Sequence, residues 1–250
     1  MTESVAQLQK GLGLLTNLPD SPWRQQHELD LRIALGGALM ATGGVAAPAV
    51  GENYAQARAL AELLDRPDDL VPVLYGSCQW HALRAEWSKA LPPAKRLEQI
   101  GTSRNDDRAL LLGGNLQGMA RFCFGEFVVA HPLFEQCLGL SDPAHRGTFS
   151  GVTPQDMRVS TLAWLAVTHT YLGYLDQGCA WTNAALLEAR QLKHVYSLVH
   201  ALIWACWAAV TASSPAPGAR EHAEEAVALS KEHGFPDWLG CESTYATQSR

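Results

Sequence analysis

The sequence predicts an all-α fold built from helical hairpins. Three observations carry that prediction. Apolar residues recur at three- and four-residue steps, as in Leu8, Leu12 and Leu15 and again in Leu29, Ile33 and Leu39. Ala and Leu are plentiful, whereas the β-branched alternation and tight turns of strand hairpins are missing. Breakers fall at near-regular places: Asn17-Leu18-Pro19-Asp20, Gly43-Gly44, Asp65-Arg66-Pro67, Gly125, Ser141-Asp142-Pro143, Gly173, Ser213 to Gly218, and Gly234-Phe235-Pro236.

Between those breakers the periodicity places helices over 3–17, 22–41, 49–65, 68–84, 87–100, 106–124, 126–139, 154–172, 175–191, 194–212 and 217–233, with a further one over 236–246. Two starts have recognisable chemistry. Ser21-Pro22 reads as an N-cap followed by proline at the first helical position, and Thr153-Pro154 reads the same way. Helices of this length joined by short turns cannot each bury a face alone, so they pair as antiparallel hairpins and the hairpins stack.

A repeat lies beneath the helices. In a tetratricopeptide hairpin a small residue sits where the second helix crosses the first, three positions after a large apolar residue that plugs the turn. That pairing occurs as Tyr54/Ala57, Trp87/Ala90, Phe127/Ala130 and Leu175/Gly178, with a degenerate Pro215/Gly218. The small residues are 33, 40, 48 and 40 positions apart, against a repeat length of about 34. Three intervals therefore carry inserted turn residues, the longest insertion at about 141–154. The fullest match is Gly118, Gly125, Glu126, Phe127, Ala130, Phe134, Leu138, Leu140 and Pro143; a second is Leu162, Leu165, Ala166, Gly173, Leu175, Gly178 and Ala185. The expected architecture is one tetratricopeptide-like helical-hairpin solenoid, a right-handed superhelix over residues 1–250. Its hairpins cover about 22–65, 68–100, 106–139, 154–191 and 194–233, with partial helices at both ends.

Composition narrows the function classes. With 19 Lys+Arg against 25 Asp+Glu the chain carries a formal charge of −6 and shows no concentrated basic face, which argues against a nucleic-acid partner. Neutral or cationic partners suit it better. The most apolar run, Leu198 to Ala212, contains His200 and falls short of the roughly 20 residues that a membrane span needs. The first residues, Met1-Thr2-Glu3-Ser4, lack the basic and apolar regions of a secretory leader, so a cytoplasmic location without a membrane partner is expected. None of Cys78, Cys123, Cys137, Cys179, Cys206 and Cys241 forms a Cys-x-x-Cys pair, and buried free thiols are the expectation.

Candidate chemistry is sparse. His194 and His200 are six apart on one helix and face opposite sides; His131, His169, His222 and His233 fall on separate helices or lie far apart. No His-x-x-x-His or Glu-x-x-His spacing appears, so neither a metal nor another cofactor is expected. Cys78 and His81 share a helix face at i, i+3, but Cys78 occupies a small position inside a packed hairpin, unlike a reactive thiol. The carboxylate pairs Asp68/Asp69, Asp106/Asp107 and Glu224/Glu225 sit in first turns or on solvated faces, where they offset the helix dipole. Most of the eight tryptophans serve packing between hairpins, with Trp204 and Trp207 sharing a face. Counting from the hairpin turns, a concave face formed by first helices would present Tyr75, Gln79, Asn115, Met119, Phe122, Val167, Thr170 and Tyr171. Amides among aromatics suit an extended peptide, hydrogen-bonding its backbone and enclosing its side chains.

The stretch from Leu8 to Val50, together with Gly125-Glu126-Phe127, Leu172-Gly173-Tyr174-Leu175-Asp176-Gln177 and His233-Gly234-Phe235-Pro236-Asp237-Trp238, resembles the C-terminal repeat region of bacterial multidomain cyclase/ATPase signalling proteins. The similarity covers roughly residues 4 to 240. Proteins of that family join a class III adenylate or guanylate cyclase domain to an AAA-type ATPase and a tetratricopeptide tail. No Gly-x-x-x-x-Gly-Lys-Ser/Thr occurs here and no segment resembles a cyclase domain, so the resemblance implies no catalytic residue. It implies a non-catalytic scaffold that binds a protein or peptide, including a cyclase or ATPase domain of its own system. Two alternatives stay open: an all-α enzyme or small-ligand sensor with a pocket between hairpins, and a truncated fragment. The fragment reading rests on a first helix, 3–17, that looks like the second half of a hairpin, and on Cys241 to Ala246, where the family continues an apolar helix.

Overall fold

The computed structural model describes residues 2–144, 152–212, 218–235 and 238. Among them the regular elements are all helical: α1 (Thr2–Leu15), α2 (Pro22–Gly43), α3 (Pro48–Leu63), α4 (Pro67–Leu83), α5 (Trp87–Arg104), α6 (Asp107–Cys123), α7 (Phe127–Leu140), α8 (Met157–Tyr171), α9 (Leu175–Leu192), α10 (Val195–Thr211) and α11 (Ala219–His233). The protein is all-α. Ser21 caps α2 as expected, its hydroxyl accepting the Arg24 amide at 3.2 Å with Pro22 opening the helix. At α8 the expectation needs correction. The cap is Asp156 rather than Thr153, because the Asp156 carboxylate accepts the Val159 amide at 3.0 Å, and the helix starts at Met157. The helix expected over 236–246 and the middle of the 141–154 insertion lie outside the described residues. No described helix is long and apolar enough to cross a membrane.

Several of the described helices end in one recurring device. Asp65, Ala85, Asn105, Gly125, Gly173 and Lys193 all have left-handed backbone, with φ between 49° and 85°. At five of these turns the next residue's amide donates back five positions: Arg66 to Ala61, Glu86 to His81, Asp106 to Gly101, Glu126 to Arg121 and Tyr174 to His169, at 2.9–3.0 Å. This closure satisfies carbonyls that the helix end would otherwise leave open. The left-handed residues from 65 to 125, and again 173 and 193, are 20 positions apart. A hairpin thus occupies 40 residues there, longer than the tetratricopeptide length of about 34.

Two compact units divide the chain, Met1–Leu116 and Gln117–Arg250, with the boundary inside α6. In the first, α1 packs on α2, α2 on α3 and α4, α3 on α4, and α4 on α5. Tyr54 of α3 organises this packing. Its ring is 4% exposed and lies against Gly36 of α2 and Gly76 of α4; a Cβ at either glycine would overlap it. Trp80 lies against Gly51 and donates its indole N–H to the Ala47 carbonyl at 2.9 Å. The expected crossing residues Ala57 and Ala90 are buried. The Cys78 thiol donates to the Ala90 carbonyl at 3.3 Å, and burial pushes that thiol well above its ordinary range. His81 turns instead to Glu86, at 2.8 Å, so Cys78 and His81 do not form a dyad.

In the second unit α7 packs on α8, α8 on α9 and α10, α9 on α10, and α10 on α11. Enclosed on three sides, α8 is buried at Met157 and at every residue from Val159 to Thr170. Val159, Leu162, Ala163, Leu186, Val199 and Leu202 centre one apolar core. The crossing residues Ala130 and Gly178 are buried here too. A Cβ at Gly178 would stand 2.6 Å from Thr170 Oγ1, which is the steric reason for a glycine. Cys78, Cys137 and Cys206 are buried as expected, Cys123 and Cys179 are exposed and depart from that expectation, and Cys241 lies outside the described residues. Both exposed cysteines lie next to hairpin turns, Cys123 closing α6 and Cys179 in the second turn of α9, where neighbouring helices leave one side uncovered.

Candidate functional site

The feature of the second unit that stands apart from ordinary core packing is a chain of aromatic rings that starts in its interior and ends in solvent. Its hub is Phe122, on the last turn of α6. Gly125, with φ +79°, reverses the chain three residues later, a backbone conformation that an L side chain rarely adopts. The Arg121–Glu126 ion pair at 2.7 Å spans the same turn. Phe127, the first residue of α7, is thereby folded back on Phe122 with ring centroids 5.0 Å apart. Helical spacing on α8 sets Trp164 and Tyr171 on one side, at 5.3 and 5.0 Å from Phe122, both edge-on. Trp204 and Trp207 of α10, one turn apart, stack on each other at 4.7 Å; Trp207 reaches Phe122 at 5.8 Å and Trp204 reaches Trp164 at 4.0 Å.

Exposure grades along this chain. Phe122 and Trp164 are buried, Phe127 and Trp207 half-buried, and Tyr171 is 40% exposed. Trp207 donates its indole N–H to Tyr171 Oη at 3.3 Å, and Phe127 packs on Tyr171 at 4.7 Å, so the exposed ring is held on two sides. The α6–α7 turn before Phe127 and the α8–α9 turn after Tyr171, with the helix starts that follow them, expose Phe124, Val128, Tyr174 and Leu175. An outward apolar rim on a rigid aromatic base can bury an apolar or aromatic side chain at small entropic cost, because the rings are already fixed.

The eight residues expected on a concave face are placed unevenly. Tyr75, Asn115, Phe122, Val167 and Thr170 are buried, whereas Gln79 and Met119 are half-buried and Tyr171 is exposed. In the first unit Gln79 donates to Tyr75 Oη at 2.6 Å, so these two serve each other. In the second, Thr170 donates to the Ala166 carbonyl at 2.9 Å and faces Gly178, inside the hairpin crossing. The geometry brings Met119, Phe122, Val167 and Tyr171 into one cluster, adding Phe127, Trp164, Trp204 and Trp207. The sequence shows the Trp204/Trp207 face and the Phe127 plug separately, but no local pattern in it tells that rings from α7, α8 and α10 converge on Phe122 of α6.

No cluster of three or more His, Cys, Asp or Glu side chains that could hold a metal ion occurs among the described residues. No protein-family model matches the chain, and no curated protein matches it.

Proposed function

We propose that this chain is a non-catalytic interaction module, a tetratricopeptide-like solenoid that docks a protein or peptide on the aromatic rim around Tyr171. On this reading its hairpins wind as a right-handed superhelix, and its system is of the cyclase/ATPase signalling kind that its repeats resemble. Support for the repeat comes from the buried small residues Ala57, Ala90, Ala130 and Gly178 and from the evenly spaced left-handed turns. Packing of a first helix on the helix two further along, seen for α2 on α4 and for α8 on α10, is what stacked hairpins require.

One observation carries the docking surface: Tyr171 is 40% exposed although three rings hold it, Phe122, Phe127 and Trp207. Exposed apolar groups on a rigid base are what recognition surfaces offer, since little is lost in ordering them. The partner is a neutral or cationic segment carrying an apolar anchor, in keeping with the net charge of −6. Calorimetric titration with domains and peptides encoded beside this chain tests the reading. Binding should be saturable and weaken tenfold or more in Tyr171→Ala, the loss expected of an interface anchor. Equal affinity of wild type and Tyr171→Ala for the partner would defeat the assignment of the surface. Turnover of ATP by the purified protein would defeat the claim that it is non-catalytic.

A further inference from the structure

The chain leaves α11 by the same turn that closes the hairpins. Gly234 has a left-handed backbone, φ +67°, and the next amide, that of Phe235, donates back five positions to the Ser230 carbonyl at 3.0 Å. Beyond it Phe235 and Trp238 lie on α10 as a strap. Phe235 meets Tyr196 edge-on with ring centroids 5.0 Å apart, and Trp238 meets Tyr196 at 5.9 Å and His200 at 5.5 Å, also edge-on. Tyr196 and His200 are four residues apart and share one face of α10. Between Trp238 and Trp204, the latter at 5.8 Å, the His200 ring is enclosed. It is 5% exposed, and neither of its nitrogens has a hydrogen-bond partner among the described residues.

We propose that this strap is a latch released by acid: Phe235 and Trp238 stay seated on α10 while His200 is neutral, and proton uptake by His200 frees them and uncovers the Tyr196–His200 face. An imidazolium carries two N–H donors, and an enclosed site that offers neither an acceptor nor access to solvent penalises it heavily. No described charge offsets that penalty. Arg158 of α8 engages Glu188 of α9 at 3.8 Å, and Arg190 of α9 engages Glu225 of α11 at 3.0 Å. His169 of α8 faces His131, His194 bonds Ser197, His222 of α11 lies among Arg190, Glu225 and Glu221, and His233 stacks on Phe235. Burial alone pushes the His200 pKa down to about 3. Since α10 is held by α8, α9 and α11, the strap, hinged at a glycine, is the part that gives way. With the strap off, the ring meets water and titrates at about 6.5. The closed state therefore keeps its full advantage above that value and loses it as pH falls, so the opening equilibrium rises about 25-fold between pH 7 and pH 5. The latch does not depend on docking at Tyr171.

The test uses the full chain and two nuclear magnetic resonance measurements. In wild type, hydrogen exchange is followed at the Trp238 amide, which donates to the Phe235 carbonyl at 3.3 Å. Its protection, corrected for the intrinsic rate, should fall about 25-fold from pH 7 to pH 5, while the Leu165 amide of α8 stays the better protected at both, which separates release from unfolding. His200→Leu should remove most of that fall, and His233→Gln should leave it in place. The His200 ring proton, identified by its loss in His200→Leu, reports the reciprocal effect. It should still mark a neutral ring at about pH 5.5 in wild type but titrate at about 6.5 in Trp238→Ala, with the far-UV circular dichroism unchanged. A His200 titration that is the same in wild type and folded Trp238→Ala would overturn the proposal. So would Trp238 and Leu165 amides of wild type that lose protection together to the same level, a result that requires no variant to fold.

Discussion

Gly36 and Gly37 are neighbours in α2 with opposite surroundings. A Cβ at Gly36 would stand 2.5–2.8 Å from three atoms of the Tyr54 ring, whereas one at Gly37 would meet nothing within 4 Å. Both substitutions by alanine gain the same helix propensity, about 1 kcal/mol. Gly37→Ala should therefore stabilise the protein by up to about 1 kcal/mol. At Gly36 the same gain is offset by overpacking, which costs about 1–3 kcal/mol in a closed core. Tyr54 cannot swing aside to relieve the clash, because Gly76 of α4 is pressed against the same ring. The difference between the two variants cancels propensity and reports the steric effect alone, about 1–3 kcal/mol. Urea unfolding followed by far-UV circular dichroism measures it, provided the slopes stay equal. Replacing Tyr54 with Leu should collapse the difference, because contacting residues couple and the ring is the partner. A Gly36→Ala midpoint at or above that of Gly37→Ala would show that Tyr54 is not wedged between the helices.

Two further tests follow from the backbone and from a buried base. Ala85 holds a left-handed conformation, φ 57°, at the turn position where Gly125 and Gly173 occur in later hairpins. Ala85→Gly should stabilise the protein by about 1 kcal/mol in urea unfolding, since the left-handed region costs an alanine roughly 1–2 kcal/mol. His200 is buried against Trp204 and Trp238, its ring nitrogens have no partner among the described residues, and burial pushes its pKa down to about 3. Because the folded value lies below the unfolded one, the unfolded chain takes up the proton first. Stability is then complete above the unfolded value near 6.5 and is lost as pH falls toward 3. Between pH 7 and pH 5 this group should remove about 2 kcal/mol of stability. His200→Leu should lose that much less over the same interval; part of the slope persists, because burial shifts His222 in the same direction. Identical pH slopes in the two proteins would refute the assignment.

Helix positions were legible because a 3.6-residue period is written into each segment, and caps such as Ser21-Pro22 announce their own geometry. The 20-residue rhythm of the turns was not. Of the six left-handed residues on that spacing only Gly125 and Gly173 are glycine; Asp65, Ala85, Asn105 and Lys193 hold a positive φ without the residue type that signals it. The small crossing residues marked burial correctly, yet Tyr54, read as a turn plug, is lodged between α2 and α4. Leu175, read the same way, is 46% exposed.

The same limit governs the surface. Periodicity separates a helix face that meets other helices from one that meets water, but it does not count how many helices meet it. Counting from the turns placed Val167, Thr170 and Tyr171 together on a lining face. With α7, α9 and α10 all packed on α8, only Tyr171, at the helix end, escapes enclosure. Helix ends are where neighbouring helices stop covering one another, so Phe124, Val128, Tyr174 and Leu175 are also exposed there. His131 and His169 meet for the complementary reason: adjacent helices bring together residues 38 positions apart, a distance that no local spacing motif can span. Apolar side chains left uncovered at such ends, on rings already fixed beneath them, would lose little on being buried, and that makes Tyr171 the residue on which the proposed interaction stands or falls.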